Sequence, residues 1–286
     1  MKRILTVQDL TCLGKCALTV ALPVISAMGV EASVLPTALL SVHTAFDDFT
    51  FQDLSQEIEP VVAHWKKENF SFDAIYTGYL GSFAQLRLVS SLIDDFRKEN
   101  TLVFIDPVMG DNGSFYAGLS PDFAKQAAAL CAKADVISPN LTEACLLLGR
   151  PYLGESYGES DIHTLLRDLS ALGTKKIILT GIHFEDGLLG AVCYDAKRDY
   201  FFSHFHPRRE ERFHGTGDLF ASICVGALTR GLPLESAVKL ALDVTFESIE
   251  CSLQDPQRRW YSVNFEEAIP LLVQRLQQEI KSNKKS

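Results

Sequence analysis

Short apolar runs alternate along this chain with segments whose apolar residues recur at helical spacing. Each run ends in a polar or glycine-containing turn, as a buried strand does, and the runs cover residues 3–9, 32–39, 72–81, 102–111, 135–143 and 175–182. The intervening segments predict helices over residues 17–29, 54–69, 84–100, 121–134 and 161–173. This alternation predicts an α/β fold, with a central and mostly parallel sheet flanked by helices on both faces.

Residues 187–207 break the alternation, because two apolar runs lie on either side of the turn residues 195–199. We expect a small antiparallel hairpin at the edge of the sheet. The chain shows no repeat and no long linker, so the pattern predicts a single domain over residues 1–286.

Composition and charge limit the classes of function that we expect for this chain. The 286 residues are 47% hydrophobic and 22% charged, which is ordinary for a soluble globular protein. A net charge of −9 leaves no excess of positive charge for nucleic acid or an anionic membrane, and the basic tail over residues 281–286 is expected to be a solvated end. Seven cysteines without the paired spacing of a zinc site argue against a structural metal. With no signal-peptide pattern and no long apolar stretch, we expect a cytoplasmic location.

A set of polar or aromatic side chains follows the predicted strands directly. The ligand site of a parallel α/β sheet lies beyond the carboxyl ends of its strands, so we expect these side chains at one edge of the sheet. Each one alone is also typical of a turn or a helix cap, and the prediction depends on their number. They are Asp9, Tyr79, Asp106, Asp111, Asn140, Glu143 and Thr180.

Residues 213–218, Phe-His-Gly-Thr-Gly-Asp, come immediately before a long apolar stretch that predicts a buried helix. The free N–H groups and the dipole at a helix start suit an anion such as phosphate, and Gly215, Thr216 and Gly217 would present them. The carboxylate of Asp218 would accept the proton of an attacking hydroxyl group beside that phosphate. Helix capping by Asp218 is the structural alternative. The motif is neither a Walker loop nor a dinucleotide-binding fingerprint.

Two acidic segments suggest a cation beside the phosphates. Asp106 ends a buried strand and Asp111 lies in a glycine turn, where their carboxylates suit Mg²⁺ or its water shell. An Asx turn is the structural alternative. Asn140 and Glu143 lie three residues apart at a helix start, and this spacing on its own favours a capping box.

Taken together, the segments DPVMGD, SPNLTEA and HGTGD resemble, in this order, the ribokinase-like superfamily of small-molecule kinases. The segments VQDLTCLG, LLSVHTAF and DAIYTGYLG are similar to segments of the pyridoxal kinase family, also in the same order. The resemblance extends from about Thr6 to Leu228. It implies transfer of the γ-phosphate of ATP to the 5′-hydroxymethyl group of pyridoxal, pyridoxamine or pyridoxine.

The resemblance also implies the catalytic residues. Asp218 corresponds to the catalytic base of the family, and Gly215, Thr216 and Gly217 correspond to its anion hole. A homodimer is implied in the same way.

A second group of residues matches the family's cation and nucleotide positions. Asp106, Asp111 and Glu143 match positions that organise Mg²⁺ and a monovalent cation such as K⁺, largely through water. Asn140 and Thr180 match contacts with the nucleotide phosphates.

Thr44 and Tyr79 match contacts with the vitamer, the tyrosine ring packing against the pyridine ring. The chain departs from the family at the end of the first strand, where pyridoxal kinases commonly have serine and this sequence has Asp9. A carboxylate there accepts a hydrogen bond from the ring or pairs with the ammonium group of pyridoxamine. We therefore expect a preference shifted towards the amine form.

The charged loop before the glycine motif has two interpretations. It is either a solvated loop or a lid over ATP, in which Phe213 and His214 approach the nucleotide and an arginine reaches a phosphate. The adenine pocket is expected near the helix after Asp218 and residues 237–246.

Two other functions stay open. Hydroxymethylpyrimidine kinases of thiamine synthesis share the DPVM and PNxxEA segments, but they usually have cysteine where this chain has Asp218. The second alternative is a non-catalytic vitamer-binding regulator on the same fold. The retention of Asp218, both glycines and the acidic residues argues against that regulator.

Overall fold

The structure is a computed structural model that describes residues 1–211 and 213–283. Arg212 of the predicted lid and residues 284–286 of the basic tail lie outside the described residues. The chain divides into two compact units. The first unit contains Met1–Gln56, Phe72–Ala74 and the chain from Arg209 on, and the second contains Glu57–Ser71 and Ile75–Arg208. The single domain stays a prediction.

The strands of the described chain are β1 (Arg3–Leu13), β2 (Glu31–Val42), β3 (Phe51–Asp53), β4 (Ala74–Thr77), β5 (Leu102–Ile105), β6 (Gly110–Asp111), β7 (Ser114–Phe115), β8 (Val136–Ile137), β9 (Lys176–Ile182), β10 (Leu188–Asp195) and β11 (Tyr200–Pro207). The helices are α1 (Leu18–Ala27), α2 (Ser55–Lys67), α3 (Phe83–Phe96), α4 (Pro121–Cys131), α5 (Leu141–Leu147), α6 (Glu159–Ala171), α7 (Thr216–Thr229), α8 (Leu234–Gln254) and α9 (Phe265–Asn283).

The described part of the first unit contains four helices and the strands β1, β2 and β3. Of these strands, β1 and β2 run parallel, and β3 is antiparallel to β2. Helix α7 contacts α1 and α8, and α8 contacts α9. Every residue of α7 from Leu219 to Ala227 is buried, because this stretch contains only apolar and small side chains. This packing holds the polar first turn of α7, Thr216–Asp218, in a fixed place.

The second unit contains strands in the order β4–β5–β8–β9–β10–β11. The pairs β5–β8 and β8–β9 are parallel, and the buried side chains of these strands form a continuous apolar layer. Strand β10 pairs antiparallel with β9 and with β11, which confirms the predicted edge hairpin. A second, very small hairpin pairs β6 with β7.

The predicted alternation of strands and helices is confirmed, but Asp111 lies inside the short strand β6 and does not directly follow a strand. Two strand ends were also placed wrongly. Strand β1 continues to Leu13, so Asp9 lies inside it, at an irregularity where the pairing with β2 shifts register. Thr180 lies inside β9 and does not follow it. Pairing with a neighbouring strand prolongs both strands beyond their apolar runs. Among the described residues, no helix is long and apolar enough to cross a lipid bilayer.

Candidate active site

The predicted helix start is confirmed as the N-terminus of α7, with Gly215 as its N-cap residue. Gly215 has a φ of 82°, and a Cβ atom there would lie 1.8 Å from the carbonyl oxygen of Lys15. Only glycine accommodates both this conformation and this close approach. Because the N-cap residue Gly215 has no side chain to cap α7, the N–H groups of the first turn are left for an anion.

Asp218 is the third residue of α7 and lies half-buried beside these N–H groups. Capping by Asp218 is excluded, because Gly215 holds the N-cap position and α7 has no side-chain cap. Burial raises the pKa of Asp218 to about 7, against a hydrogen bond from the backbone of Ala17 that lowers it, and the charge of Asp9 raises it further. A carboxylate with this pKa is well matched to general base catalysis near neutral pH.

The connection between β1 and α1 supports this carboxylate, and the sequence did not reveal that role. Ala17 has φ 49° and ψ −129°, a conformation that favours glycine, and its backbone bonds to Asp218. The side chain of Lys15 in the same connection forms an ion pair with Glu266, at 2.7 Å between Nζ and Oε2. Strain at a functional site is maintained by the structure around it, and here Gly215 and Glu266 hold the connection in place.

Asp9 lies near enough to Asp218 for its charge to raise the pKa of Asp218. Asp9 is buried, and the hydroxyl of Thr11 donates to its Oδ2 at 2.9 Å. Burial raises the pKa of Asp9, and this hydrogen bond lowers it. Burial also raises the pKa of the neighbouring Cys16 thiol to about 12, with the charge of Asp218 as the next cause, so the thiol stays protonated. Thr11 lies in the segment that resembles the kinase family and Cys16 lies two residues after it, but the sequence gave no sign that the two side chains meet.

The other predicted residues of the first unit lie in the turn after β2 and in the loop before α7. Thr44 is exposed in the turn after β2. The carbonyl of Phe213 accepts a hydrogen bond from the Thr216 hydroxyl at 3.2 Å. Arg209 of the predicted lid donates to Glu250 at 2.5 Å. The approach of Phe213 and of this arginine to a nucleotide stays a prediction.

In the second unit the predicted capping box is confirmed at the start of α5. Asn140 Oδ1 accepts from the Glu143 N–H at 2.9 Å, and Glu143 Oε2 accepts from the Asn140 N–H at 2.8 Å. The same two side chains also reach the loop after β5. Asn140 Nδ2 donates to the Gly110 carbonyl at 2.9 Å, and the Met109 N–H donates to Glu143 Oε1 at 3.1 Å. The box therefore fixes the acidic loop as well as the helix.

The three acidic side chains of this unit share one neighbourhood. Burial raises the pKa of Glu143, which backbone hydrogen bonds lower and the charge of Asp111 raises again. Burial also raises the pKa of the Cys131 thiol, and the charges of Glu143 and Asp106 add to that shift. Asp106 is buried at the end of β5, whereas Asp111 is exposed. A cation would offset this concentration of negative charge, and carboxylates combined with water and phosphate suit Mg²⁺.

Thr180 lies next to Asn140 in the second unit. The two residues form an isolated bridge, and the Thr180 N–H donates to the Pro139 carbonyl at 3.0 Å. Tyr79 is half-buried, two residues after the end of β4. The predicted nucleotide residues Asn140 and Thr180 are thus brought together, beside the acidic loop that Asn140 holds.

An α/β fold with a glycine helix start and a carboxylate in the first turn of that helix agrees with the class of small-molecule kinases that the sequence motifs resemble. The chain belongs to the phosphomethylpyrimidine kinase family, whose family model matches residues 20–260.

Solved structures and curated relatives extend this result. A candidate phosphomethylpyrimidine kinase from Bacteroides thetaiotaomicron, crystallised with pyridoxal, is 36% identical and covers 95% of both chains, with a TM-score of 0.90. Pyridoxal kinase from Lactobacillus plantarum is 29% identical and covers 96% of this chain and 97% of its own, with a TM-score of 0.88. Human pyridoxal kinase is 27% identical over 88% of this chain and 84% of its own. The predicted relation to pyridoxal kinases, with a ribokinase-like fold, is confirmed.

Proposed function

We propose that this chain is an ATP-dependent kinase that phosphorylates the 5′-hydroxymethyl group of pyridoxal, pyridoxamine and pyridoxine. The observation that carries the proposal is the carboxylate of Asp218 in the first turn of α7, whose N-terminus has no side-chain cap. The relatives support a B6 vitamer as the acceptor, because one of them is a pyridoxal kinase and the Bacteroides protein was crystallised with pyridoxal.

The first unit would carry the chemical step. Asp218 accepts the proton of the hydroxymethyl group while the oxygen of that group forms a bond to the γ-phosphorus of ATP. The bond from the γ-phosphorus to the bridging oxygen breaks, and ADP leaves with its electron pair. The N–H groups of Gly215–Gly217, at the positive end of the α7 dipole, stabilise the negative charge of the transferred group.

The second unit would bind the nucleotide phosphates and the cations. Asn140 and Thr180 contact the phosphates, and Asp106, Asp111 and Glu143 hold Mg²⁺ together with a monovalent cation such as K⁺. Bound Mg²⁺ supplies positive charge that offsets the phosphates. The acidic neighbourhood around the buried Glu143 supports this assignment.

Further parts of the proposal rest on the resemblance. Thr44 and Tyr79 contact the vitamer, and Phe213 and His214 lie in a loop that covers the reacting groups. The protein acts as a homodimer in the cytoplasm.

Hydroxymethylpyrimidine kinase is the second candidate. The name of the matching family model and the description of the Bacteroides relative favour it. Asp218 argues against this candidate, because hydroxymethylpyrimidine kinases usually have cysteine at this position.

Acceptor turnover separates the candidates. The protein is incubated with ATP and Mg²⁺ and, in parallel, with pyridoxal, pyridoxamine, pyridoxine or hydroxymethylpyrimidine, and phosphorylated products are measured. We expect phosphorylation of the three vitamers. Turnover of hydroxymethylpyrimidine alone would establish the second candidate, and tight vitamer binding without turnover would establish a regulator.

Activity should depend on the ionisation of Asp218. The base works only when deprotonated, so kcat/KM for pyridoxine is expected to fall about tenfold per pH unit below about pH 7. The negative charge of Asp9 is one cause of the raised pKa, so Asp9→Asn should move this acidic limb to lower pH. The measurement is kcat/KM between about pH 5 and pH 9 for both proteins, with the exposed Asp122→Asn as control. A limb that stays in place in Asp9→Asn would contradict this coupling.

Asp9 should also set the vitamer preference. Its carboxylate favours the ammonium group of pyridoxamine, so the ratio of kcat/KM for pyridoxamine to that for pyridoxal is expected to fall in Asp9→Ser. Equal turnover of the two vitamers, unchanged by the substitution, would exclude this role.

A further inference from the structure

Five aromatic side chains from three distant segments of the first unit meet around His43. We call them the aromatic cluster: His43, Phe46, His214, Trp260 and Tyr261. The first two lie in the turn after β2, and the last two lie between α8 and α9. His214 comes immediately before Gly215, so the cluster adjoins the glycine loop along the chain.

The rings of the aromatic cluster are packed at stacking distances. The ring centroids of His43 and His214 are 4.6 Å apart, and those of Phe46 and Trp260 are 4.7 Å apart. Phe46 also lies 5.3 Å from the ring of Tyr261. These separations are typical of attractive aromatic pairs. Trp260 nevertheless stays 57% exposed, so much of its indole surface remains open to a further ring.

Hydrogen bonds keep the centre of the cluster uncharged. The Ala45 N–H donates to Nδ1 of His43 at 3.2 Å, so the ring proton lies on Nε2, which donates to the Tyr261 carbonyl at 3.0 Å. Burial lowers the pKa of His43, with the charge of His214 as the next cause, and burial lowers the pKa of His214 too. The aromatic cluster is therefore a neutral surface, which suits a flat heteroaromatic ring better than a triphosphate.

We propose that Trp260, held by the aromatic cluster, contacts the heteroaromatic ring of the acceptor and determines the affinity for it. This inference rests on the proposed function and deepens it. His214 is separated from Asp218 by only the anion-hole residues Gly215–Gly217. In space, His43 lies against Gly14 and the neighbouring Lys15 carbonyl lies against Gly215, so the cluster adjoins the turn that carries the proposed base. The prediction that His214 approaches the nucleotide is replaced here by a contact on the acceptor side.

Steady-state kinetics test the role of Trp260. In Trp260→Ala, KM for pyridoxal and pyridoxine should rise about three- to tenfold, the equivalent of one lost ring contact, while KM for ATP and kcat stay unchanged. Trp260→Phe should restore most of the affinity, because it keeps an aromatic face. Tyr200→Ala is the control, since Tyr200 is also an exposed ring, 40% accessible, in the hairpin of the second unit. An unchanged KM for both vitamers in Trp260→Ala would overturn the proposal.

Fluorescence gives a readout that does not need turnover. The chain has two tryptophans, Trp65 and Trp260, so Trp65→Phe leaves Trp260 as the only indole. Pyridoxine should change the emission of Trp65→Phe saturably and leave that of Trp260→Phe unchanged apart from light absorption by the vitamer. If the emission of Trp65→Phe shows no saturable change, the proposal is overturned. This test does not depend on whether Trp260→Ala folds. If wild type phosphorylates no vitamer, the proposed function fails, and titration of Trp65→Phe with hydroxymethylpyrimidine decides the inference in the same way.

Discussion

Gly215→Ala is expected to abolish most of the activity and to destabilise the protein. The φ of 82° costs an alanine about 1–2 kcal/mol. The added Cβ would also lie 1.8 Å from the Lys15 carbonyl oxygen, and an overlap between two backbone segments costs about 1–3 kcal/mol more. Relieving the overlap displaces both the first turn of α7 and the connection that bonds Asp218, so kcat/KM should fall about 100-fold or more. Urea unfolding and steady-state kinetics measure the two effects.

Substitutions at two other glycines separate the conformational cost from the cost of the overlap. Gly231 belongs to the same unit and has φ 89°, but a Cβ there meets no atom within 4 Å, so Gly231→Ala measures the conformational cost alone. Gly217→Ala also meets no atom within 4 Å and should leave stability nearly unchanged, while the methyl group obstructs the proposed phosphate site and lowers activity. If Gly215→Ala behaves like Gly231→Ala in both assays, the close approach to Lys15 has no importance.

Asp218→Asn is expected to lower kcat about 10²- to 10⁴-fold, the usual contribution of a general base. An amide keeps the shape of the side chain but cannot accept the proton of the acceptor. Stability should move in the opposite direction. Burial raises the pKa of Asp218 from 3.8 to about 7, so stability falls as the pH rises between these two values, and the ionised carboxylate destabilises the folded protein above them. Removing the charge should therefore raise the free energy of unfolding near pH 8, about one unit above that pKa.

Asp122→Asn is the matched control for this substitution. Asp122 lies in the first turn of α4, as Asp218 does in α7, but its side chain is exposed and pairs with Lys125. We expect this variant to keep wild-type activity and stability. An Asp218→Asn protein that is unstable and inactive would indicate a structural role, whereas a stable and fully active one would exclude catalysis by Asp218.

The sequence predicts the alternation of strands and helices well, because a buried strand carries a continuous apolar run. Residues 102–105 and 177–179 show this pattern and lie in β5 and β9. Strand ends were less predictable, because pairing with a neighbour extends β1 beyond Asp9. No bounds were predicted for α8 and α9, and α9 contains Pro270, a residue that normally argues against a helix interior.

The residues of the candidate site also differ in how well the sequence predicts them. Gly215 and Asp218 are close in sequence, so a local motif reveals them. Support of Asp218 by Ala17 depends on a tertiary contact between residues about 200 positions apart, which no local pattern encodes. The meeting of His43 with Trp260 has the same cause and was also missed.

Formation of pyridoxal 5′-phosphate from pyridoxal and ATP, by wild type and by Asp218→Asn, tests the central claim most directly. The product is separated from pyridoxal and quantified together with ADP at matched protein concentrations. We expect equal amounts of the two products from wild type and a loss of about 100-fold or more in the rate of both with Asp218→Asn. No pyridoxal 5′-phosphate from wild type, or undiminished formation by the variant, would contradict a B6 kinase that uses Asp218 as its base.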